Sequence, residues 1–387
     1  MCYQDVPYPP SNSQDSLPQS NFGSFSGDES KHSASPPRGG AEDDSEPNFL
    51  IQGNKVGTTC FSAGSQTFDD FKPNHSADAL KDRLKRYAAS HSRALKMGAW
   101  IKENVSRKVL KGLNLSSLLV DLENCGSFLI FRYFFTVDTV KLAGMCSCHK
   151  HLLCPLCAIR RAAKSVKAYL DRFNVLSVEH PTMKPYLVTF TVKDGEDLAE
   201  RFDHLQNCLR SYYGKRRHAL KASNKRNASV EACKALGGVG SFEVKRGSGS
   251  GVWHPHAHFI WLCCDPPDQA TLQTEWREIT GDSFIVDVTP FHSGKDVAEG
   301  FLEVFKYALK TSSMDHSDNW AAFLVLRGRR LVSSFGIFRG VDVPETMTDD
   351  FDEADLPYYE MIFRYLEGSY QLDKSTIKAV HKPTGRA

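Results

Sequence analysis

The sequence predicts an α+β fold: a sheet covered by helices on one face, a small cysteine-rich element before it, and a disordered N-terminal region. Three observations predict this. Residues 186–290 alternate between short β-branched strands and amphipathic helices, with a glycine-rich turn between the two middle strands. Residues 1–78 mix Ser, Gly, Pro, Asn and Asp without any sustained period, so they bury too little to offset the entropy of ordering. The stretch from Cys146 to Cys157 holds four cysteines and two histidines.

Each element has its own signal. A charged helix is expected over Ala79–Ile101, ending near Lys102. Phe128–Val137 is rich in aromatic and β-branched residues and predicts a strand. After the cysteines, Ile159, Ala162, Ala163, Val166, Tyr169 and Leu170 recur at helical spacing along a basic helix. Strands follow at Tyr186–Lys193, Gly240–Lys245, His256–Cys263 and Phe284–Thr289. Helices are expected at Asp197 to about Leu220, at Pro267–Thr280 and at Lys295–Thr311. The chain then divides into the N-terminal region 1–78, a helical and cysteine-rich region 79–175, a sheet domain 176–343 and a tail 344–387.

A formal net charge of +2 is too small to imply a nucleic-acid partner by itself, so any electrostatic argument must be local. No apolar run reaches bilayer length, and the first thirty residues lack the apolar centre of a secretory signal, so a soluble protein is expected. Eleven cysteines without such a signal read as reduced thiols, clustered ones as metal ligands and scattered ones as packing. Cys146, Cys148, Cys154 and Cys157 are the preferred set for a structural Zn²⁺, with His149 or His151 as a replacement for one of the first pair. Cys263 and Cys264 read as packing.

The stretch WHPHAHFIWL, Trp253–Leu262, carries the strongest chemical signal. His256 and His258 lie two apart on a strand and point to one face, while Ala257 and Phe259 point to the other. Glu243 on the preceding strand is a third ligand if residues 247–251 close a hairpin. Carboxylate and imidazoles with open positions suit Mn²⁺ or Mg²⁺ acting on a phosphodiester. His254 precedes Pro255 and is a possible fourth or supporting group. On the helix 294–311, Val297, Ala298, Phe301, Phe305, Ala308 and Leu309 fill one arc and Glu299, Glu303, Lys306, Tyr307 and Lys310 the other. Tyr307 is thus expected on the polar face beside Glu303 and Lys310, where nearby positive charge would favour phenolate. Glu303 could activate a water or a second hydroxyl.

YLVTFTVK, then GSFEVKR leading into WHPHAHFIWL, then EVFKYALK resemble the three ordered motifs of plasmid rolling-circle replication initiators. Those proteins belong to the His-hydrophobic-His endonuclease superfamily, and the resemblance, over roughly residues 145–340, is to its branch with one tyrosine and an assisting glutamate. It implies a central antiparallel sheet flanked by helices, an RRM-like palm, with the tyrosine on a helix facing the histidines. It implies that His256 and His258 bind the catalytic metal, that Tyr307 is the nucleophile and that Glu303 assists termination. Thr189 and Thr191 of the first motif are given no catalytic role. The implied activity is nicking of one strand at a plasmid origin through a 5′-phosphotyrosine, with later strand transfer. The implied partners are single-stranded or hairpin origin DNA and a host helicase and polymerase, in a bacterial cytoplasm.

Arg160, Arg161 and Lys164 after the cysteines, and Arg216 and Arg217 within the basic run 210–226, are candidate DNA contacts, with Tyr212 and Tyr213 placed to stack on bases. Arg327, Arg329 and Arg330 form a smaller cluster. Two other readings remain open: a zinc-containing DNA-binding regulator without catalysis, and a transposase or relaxase of the same superfamily.

Overall fold

The computed structural model describes residues 77–106, 112–221, 229–247, 250–292, 294–351 and 356–378. Apart from Ala77 and Asp78, the predicted disordered region lies outside the described residues. The elements run α1 (Ala77–Asn104), α2 (Leu115–Asn124), β1 (Phe128–Phe134), β2 (Thr139–Met145), α3 (Pro155–Glu179), β3 (Lys184–Thr191) and α4 (Leu198–Lys221). They continue with β4 (Ala235–Arg246), β5 (Trp253–Cys263), α5 (Gln269–Thr280), β6 (Val286–Pro290), α6 (Gly294–Phe305), α7 (Tyr307–Ser312), α8 (His316–Leu326), β7 (Val332–Gly336), β8 (Tyr358–Leu366) and β9 (Ser369–Lys378).

The strands form two antiparallel sheets. The larger has the order β6-β3-β5-β4-β7 and places the histidine strand at its centre. The smaller, β2-β1-β8-β9, joins the early hairpin to the end of the chain. Residues 344–387, expected only as a tail, thus contribute two strands; their own pattern is weak and their pairing partner, β1, lies more than 200 residues upstream.

The larger sheet carries helices on both faces, which corrects the expectation of one covered face. On one face, Phe190 and Phe259 pack against Tyr212, Tyr213 and Trp276 of α4 and α5. Gly240 lies opposite Phe259, and a Cβ there would fall 2.3 Å from that ring, so glycine creates the space it fills. On the histidine-bearing face, Val239, Ile260 and Leu262 pack with Val166 and Tyr169 of α3 and Phe301, Leu302 and Phe305 of α6. A strand buried on both faces reads as a continuous apolar run, as Phe259–Cys263 does, and its alternation is lost.

The basic helix α3 is tied to the following chain by its cations. Arg160, 2% exposed, donates from Nε to the Met347 carbonyl at 2.8 Å and from Nη1 to the Tyr87 hydroxyl at 3.1 Å, and it pairs with Asp349. Arg83 pairs with the same carboxylate at 3.0 Å, which also accepts the Leu142 amide at 2.7 Å. Burial alone would raise the Asp349 pKa, but Arg160 and Arg83 hold it well below the usual carboxylate range. A depressed folded-state pKa means the stabilisation is full above the unfolded value of about 3.9 and is lost as pH falls. Asp349→Asn is expected to cost about 3–5 kcal/mol by leaving two buried guanidiniums short of a counter-charge. Thermal melting would show it, and an unchanged Tm in the variant would contradict this account.

Candidate active site

β4 and β5 pair directly, with Glu243 opposite His256 and Ser241 opposite His258. Opposed residues share a face, so Glu243 converges with both imidazoles. The Glu243 Oε1 lies 3.2 Å from His256 Nε2, and Oε2 lies 3.4 Å from His258 Nε2. All three residues are buried, and their ligand atoms lie within 4.8 Å of one another. The hairpin inferred from the glycine-rich turn is therefore present. His254, further along, approaches Asp194 at 3.5 Å and takes no part in this group.

The group fits a divalent cation. His258 Nε2 is buried and has no hydrogen-bond partner among the described residues, whereas its Nδ1 is engaged 3.0 Å from Thr189 Oγ1. That division is the one a metal-ligating imidazole needs, one nitrogen for the ion and the other held by a neighbour. Burial lowers the His256 pKa against the opposing pull of Glu243, keeping the ring in the neutral form that can ligate. Burial would raise the Glu243 carboxyl, but the adjoining His256 and His258 imidazoles and the Lys310 ammonium hold it far below the usual range, so it is ionised. No role for Thr189 is visible in the sequence, although its position on β3 opposite His258 follows once the strands are put in register.

The helix bearing Tyr307 is not continuous. It breaks at Lys306, where the Ser241 hydroxyl donates to the Val304 carbonyl, and α7 begins afresh at Tyr307. From α7, Lys310 Nζ reaches Glu243 Oε2 at 2.6 Å and Glu303 Oε1 at 3.0 Å. Glu303 pairs also with Lys306 and lies 3.9 Å from His258 Nε2. Burial disfavours the Lys310 ammonium, yet Glu243 and Glu303 outweigh it and raise its pKa, so it stays charged. The structure thus brings Glu243, His256, His258, Glu303 and Lys310 together.

Tyr307, expected on the polar face of its helix, is buried. It is 8% exposed and lines a pocket with His151, Arg161, Ser165, Tyr169 and Arg329. Its ring meets that of His151 edge-on, with centroids 6.3 Å apart. Burial pushes its pKa up to about 12 despite Arg161. Segments distant in the chain, carrying His151, Arg161 and Tyr169, surround it, which a helical wheel does not capture.

The second cluster contains Cys125, Cys148, Cys154 and Cys157, all buried. Cys146 is outside it, and Cys125 takes its place. The hairpin β1–β2 is the reason: the Gly126 amide donates to the Cys146 carbonyl at 2.8 Å, which brings Cys125 beside the loop after β2. Neither His149, whose Nε2 lies 3.0 Å from Ser147 Oγ, nor His151 belongs to the set. Sulfur separations of 3.5–3.6 Å exclude disulfides and approach the ~3.8 Å edge of a tetrahedron with ~2.3 Å Zn–S bonds. Hydrogen bonds from Cys125, Cys148 and Cys154 depress the Cys157 pKa, the direction that favours the thiolate a metal requires.

The structure draws three of the five candidate DNA contacts inward. Arg160 is committed to Asp349, Lys164 pairs with Asp350 at 2.6 Å, and Arg216 donates to the carbonyls of Ala232 and Ala235. Arg161 lines the Tyr307 pocket, and Arg217 is exposed. Tyr212 and Tyr213 are core residues; the Tyr213 hydroxyl accepts from Trp261. In α4 an arginine stem and a tyrosine ring cover apolar surface, which sequence alone does not separate from a binding face.

Against this geometry, a family model described as "Replication protein" matches residues 139–361, more than half of the chain. The chain belongs to the replication protein family. Membership bears out the resemblance to a plasmid rolling-circle initiator, and the match spans the three thiols that follow Cys125 in the cluster, the whole larger sheet and α7. No similar curated protein and no similar solved structure was found. Among the described residues no helix of this replication protein is long and apolar enough to cross a membrane.

Proposed function

We propose that this replication protein nicks one strand of a plasmid origin, with Tyr307 as nucleophile and a divalent cation held by Glu243, His256 and His258. The observation that carries the reading is the buried carboxylate–imidazole group with an unsatisfied His258 Nε2 pointing into it. Mn²⁺ or Mg²⁺ bound there would supply Lewis-acid polarisation of the scissile phosphate.

The remaining roles fall to side chains. Tyr307 loses its proton and its oxygen bonds to phosphorus; the bond from phosphorus to the 3′ oxygen breaks, leaving a 5′-phosphotyrosine and a 3′-hydroxyl. A phenol with a pKa of about 12 is protonated at neutral pH, so the incoming phosphate and a base must assist its ionisation. Lys310 holds the Glu243 and Glu303 carboxylates and sits one turn from Tyr307 on α7. Glu303 accepts a proton from water or a second hydroxyl when the adduct is resolved. The four thiols Cys125, Cys148, Cys154 and Cys157 hold a structural Zn²⁺. Origin recognition, and recruitment of a host helicase and polymerase, complete the proposed role.

The deciding experiment mixes the protein with labelled single-stranded and hairpin origin DNA, with Mn²⁺ or EDTA. A denaturation-resistant, metal-dependent adduct is expected, and Tyr307→Phe is expected to abolish it. Tight binding to the native origin without any adduct would overturn the catalytic reading in favour of a zinc-containing regulator.

A further inference from the structure

The pocket beside Tyr307 is built from two helices. Arg161, Ser165 and Tyr169 follow at four-residue steps on α3, so they form one stripe of that helix, and all three line the pocket. Tyr307 enters from α7, which packs against both α3 and β4, the strand that carries Glu243. Lys310, nearly one turn after Tyr307, reaches Glu243 from the same short helix. The pocket and the carboxylate–imidazole group therefore both lie against α7.

Three polar groups in this pocket are unpaired. Among the described residues, the Arg161 guanidinium and the Ser165 and Tyr307 hydroxyls have no hydrogen-bond or ion-pair partner. Ser165 is only 7% exposed, and a buried polar group without a partner marks a place for a ligand. Arg329 also lines the pocket but pairs with Asp203. No carboxylate lines it among the described residues. Burial pushes the Tyr307 phenol up, and the Arg161 charge opposes that rise, so the cation acts on the phenol oxygen. A guanidinium without a counter-charge beside two hydroxyls complements a phosphoryl group, whose oxygens match its two-pronged geometry. The rest of the cavity, 420 Å³ in volume, is walled largely by apolar side chains such as Leu326, Leu331 and Val341.

We propose that Arg161 is a catalytic residue which, with the Ser165 hydroxyl, holds the non-bridging oxygens of the scissile phosphate against the Tyr307 oxygen. This role rests on the reading of Tyr307 as nucleophile and supplies the group that receives the substrate from the α3 side. As the Tyr307 oxygen bonds to phosphorus, its proton passes to a base. The 3′ oxygen leaves with the electron pair of the broken bond and takes up a proton. Arg161 exchanges no atom; it counters the charge that collects on the non-bridging oxygens in the transition state.

Adduct formation by the full chain with Mn²⁺ is timed against the concentration of labelled origin strand. Arg161→Ala is expected to slow the step about 100-fold or more at saturating strand, because the contact is made at the reacting phosphate. The half-saturating concentration should change by less than about threefold. Arg161→Lys keeps a charge without the fork and should lose about tenfold. Millimolar guanidinium chloride should recover part of the rate lost in Arg161→Ala and none of that lost in Tyr307→Phe. An unchanged rate in Arg161→Ala, a loss confined to the half-saturating concentration, or a slow step without rescue would overturn the proposal and leave nicking by Tyr307 intact. No adduct with the unaltered protein would overturn the nicking reading and this role with it. If Arg161→Ala loses its cooperative melt, Arg161→Lys decides: a tenfold loss in the folded variant supports the role, and a full rate rejects it.

Discussion

His256→Ala is expected to lower nicking by about 10³-fold or more while the protein remains folded. Polarising the scissile phosphate is worth several kcal/mol, and each ~1.4 kcal/mol is a factor of ten in rate. His256 opposes Glu243 across the β4–β5 ladder, and its removal leaves an ionised, buried carboxylate with one imidazole and Lys310. Mn²⁺ affinity, followed by the electron paramagnetic signal of the free ion, should fall in parallel. Thr189→Val should fall between this variant and the unaltered protein, losing about 10–100-fold in metal affinity, because the hydroxyl that orients His258 through Nδ1 is gone. Circular dichroism separates the alternatives. Retained Mn²⁺ binding and nicking in His256→Ala would remove the metal assignment, and loss of the folded spectrum would make the histidines structural.

Cys125→Ser and Cys146→Ser are expected to behave oppositely, although only Cys146 belongs to the compact run of thiols in the sequence. The first removes one corner of the four-sulfur cluster, so bound zinc should drop from about one equivalent towards none, with a lowered Tm. The second changes a half-buried residue outside the cluster and should leave both unaltered. The cluster joins the turn before β1, the loop after β2 and the start of α3, so its loss should loosen the junction that carries His151 and Arg161 to the Tyr307 pocket. Zinc content by atomic emission, with melting in the presence and absence of a chelator, reads both effects. Zinc retained in Cys125→Ser and lost in Cys146→Ser would restore the set expected from spacing.

Local pattern made some parts legible and left others hidden. The helix from residue 77, the basic helix α3 and the strands β3 to β6 follow from side chains that repeat with the period of their own backbone. The hairpin that adds Glu243 to the histidines is local too, since only a short turn separates β4 from β5. Cys125 and the smaller sheet were not legible. The smaller sheet needs the β1–β8 pairing, across more than 200 residues that no periodicity records, and Cys125 joins the cluster only when the β1–β2 hairpin folds it back beside Cys148.

Charge misled where burial decided. Arg160, Lys164 and Arg216 have the composition of a DNA-binding surface, yet each finds a carboxylate or carbonyl that only the folded chain brings within reach. A helical wheel puts Tyr307 on the polar face, yet in the folded chain His151, Arg161 and Tyr169 surround it and leave it buried. The linear chain specifies which residues are able to hold a cation, attack a phosphate or bind zinc, because those capacities belong to the side chains and to their spacing along one strand or turn. Folding specifies which thiol completes the cluster, which cations stay at the surface and how the tyrosine is buried. Those outcomes depend on contacts between segments distant in the chain, whose strength comes from burial and from charges brought together out of water.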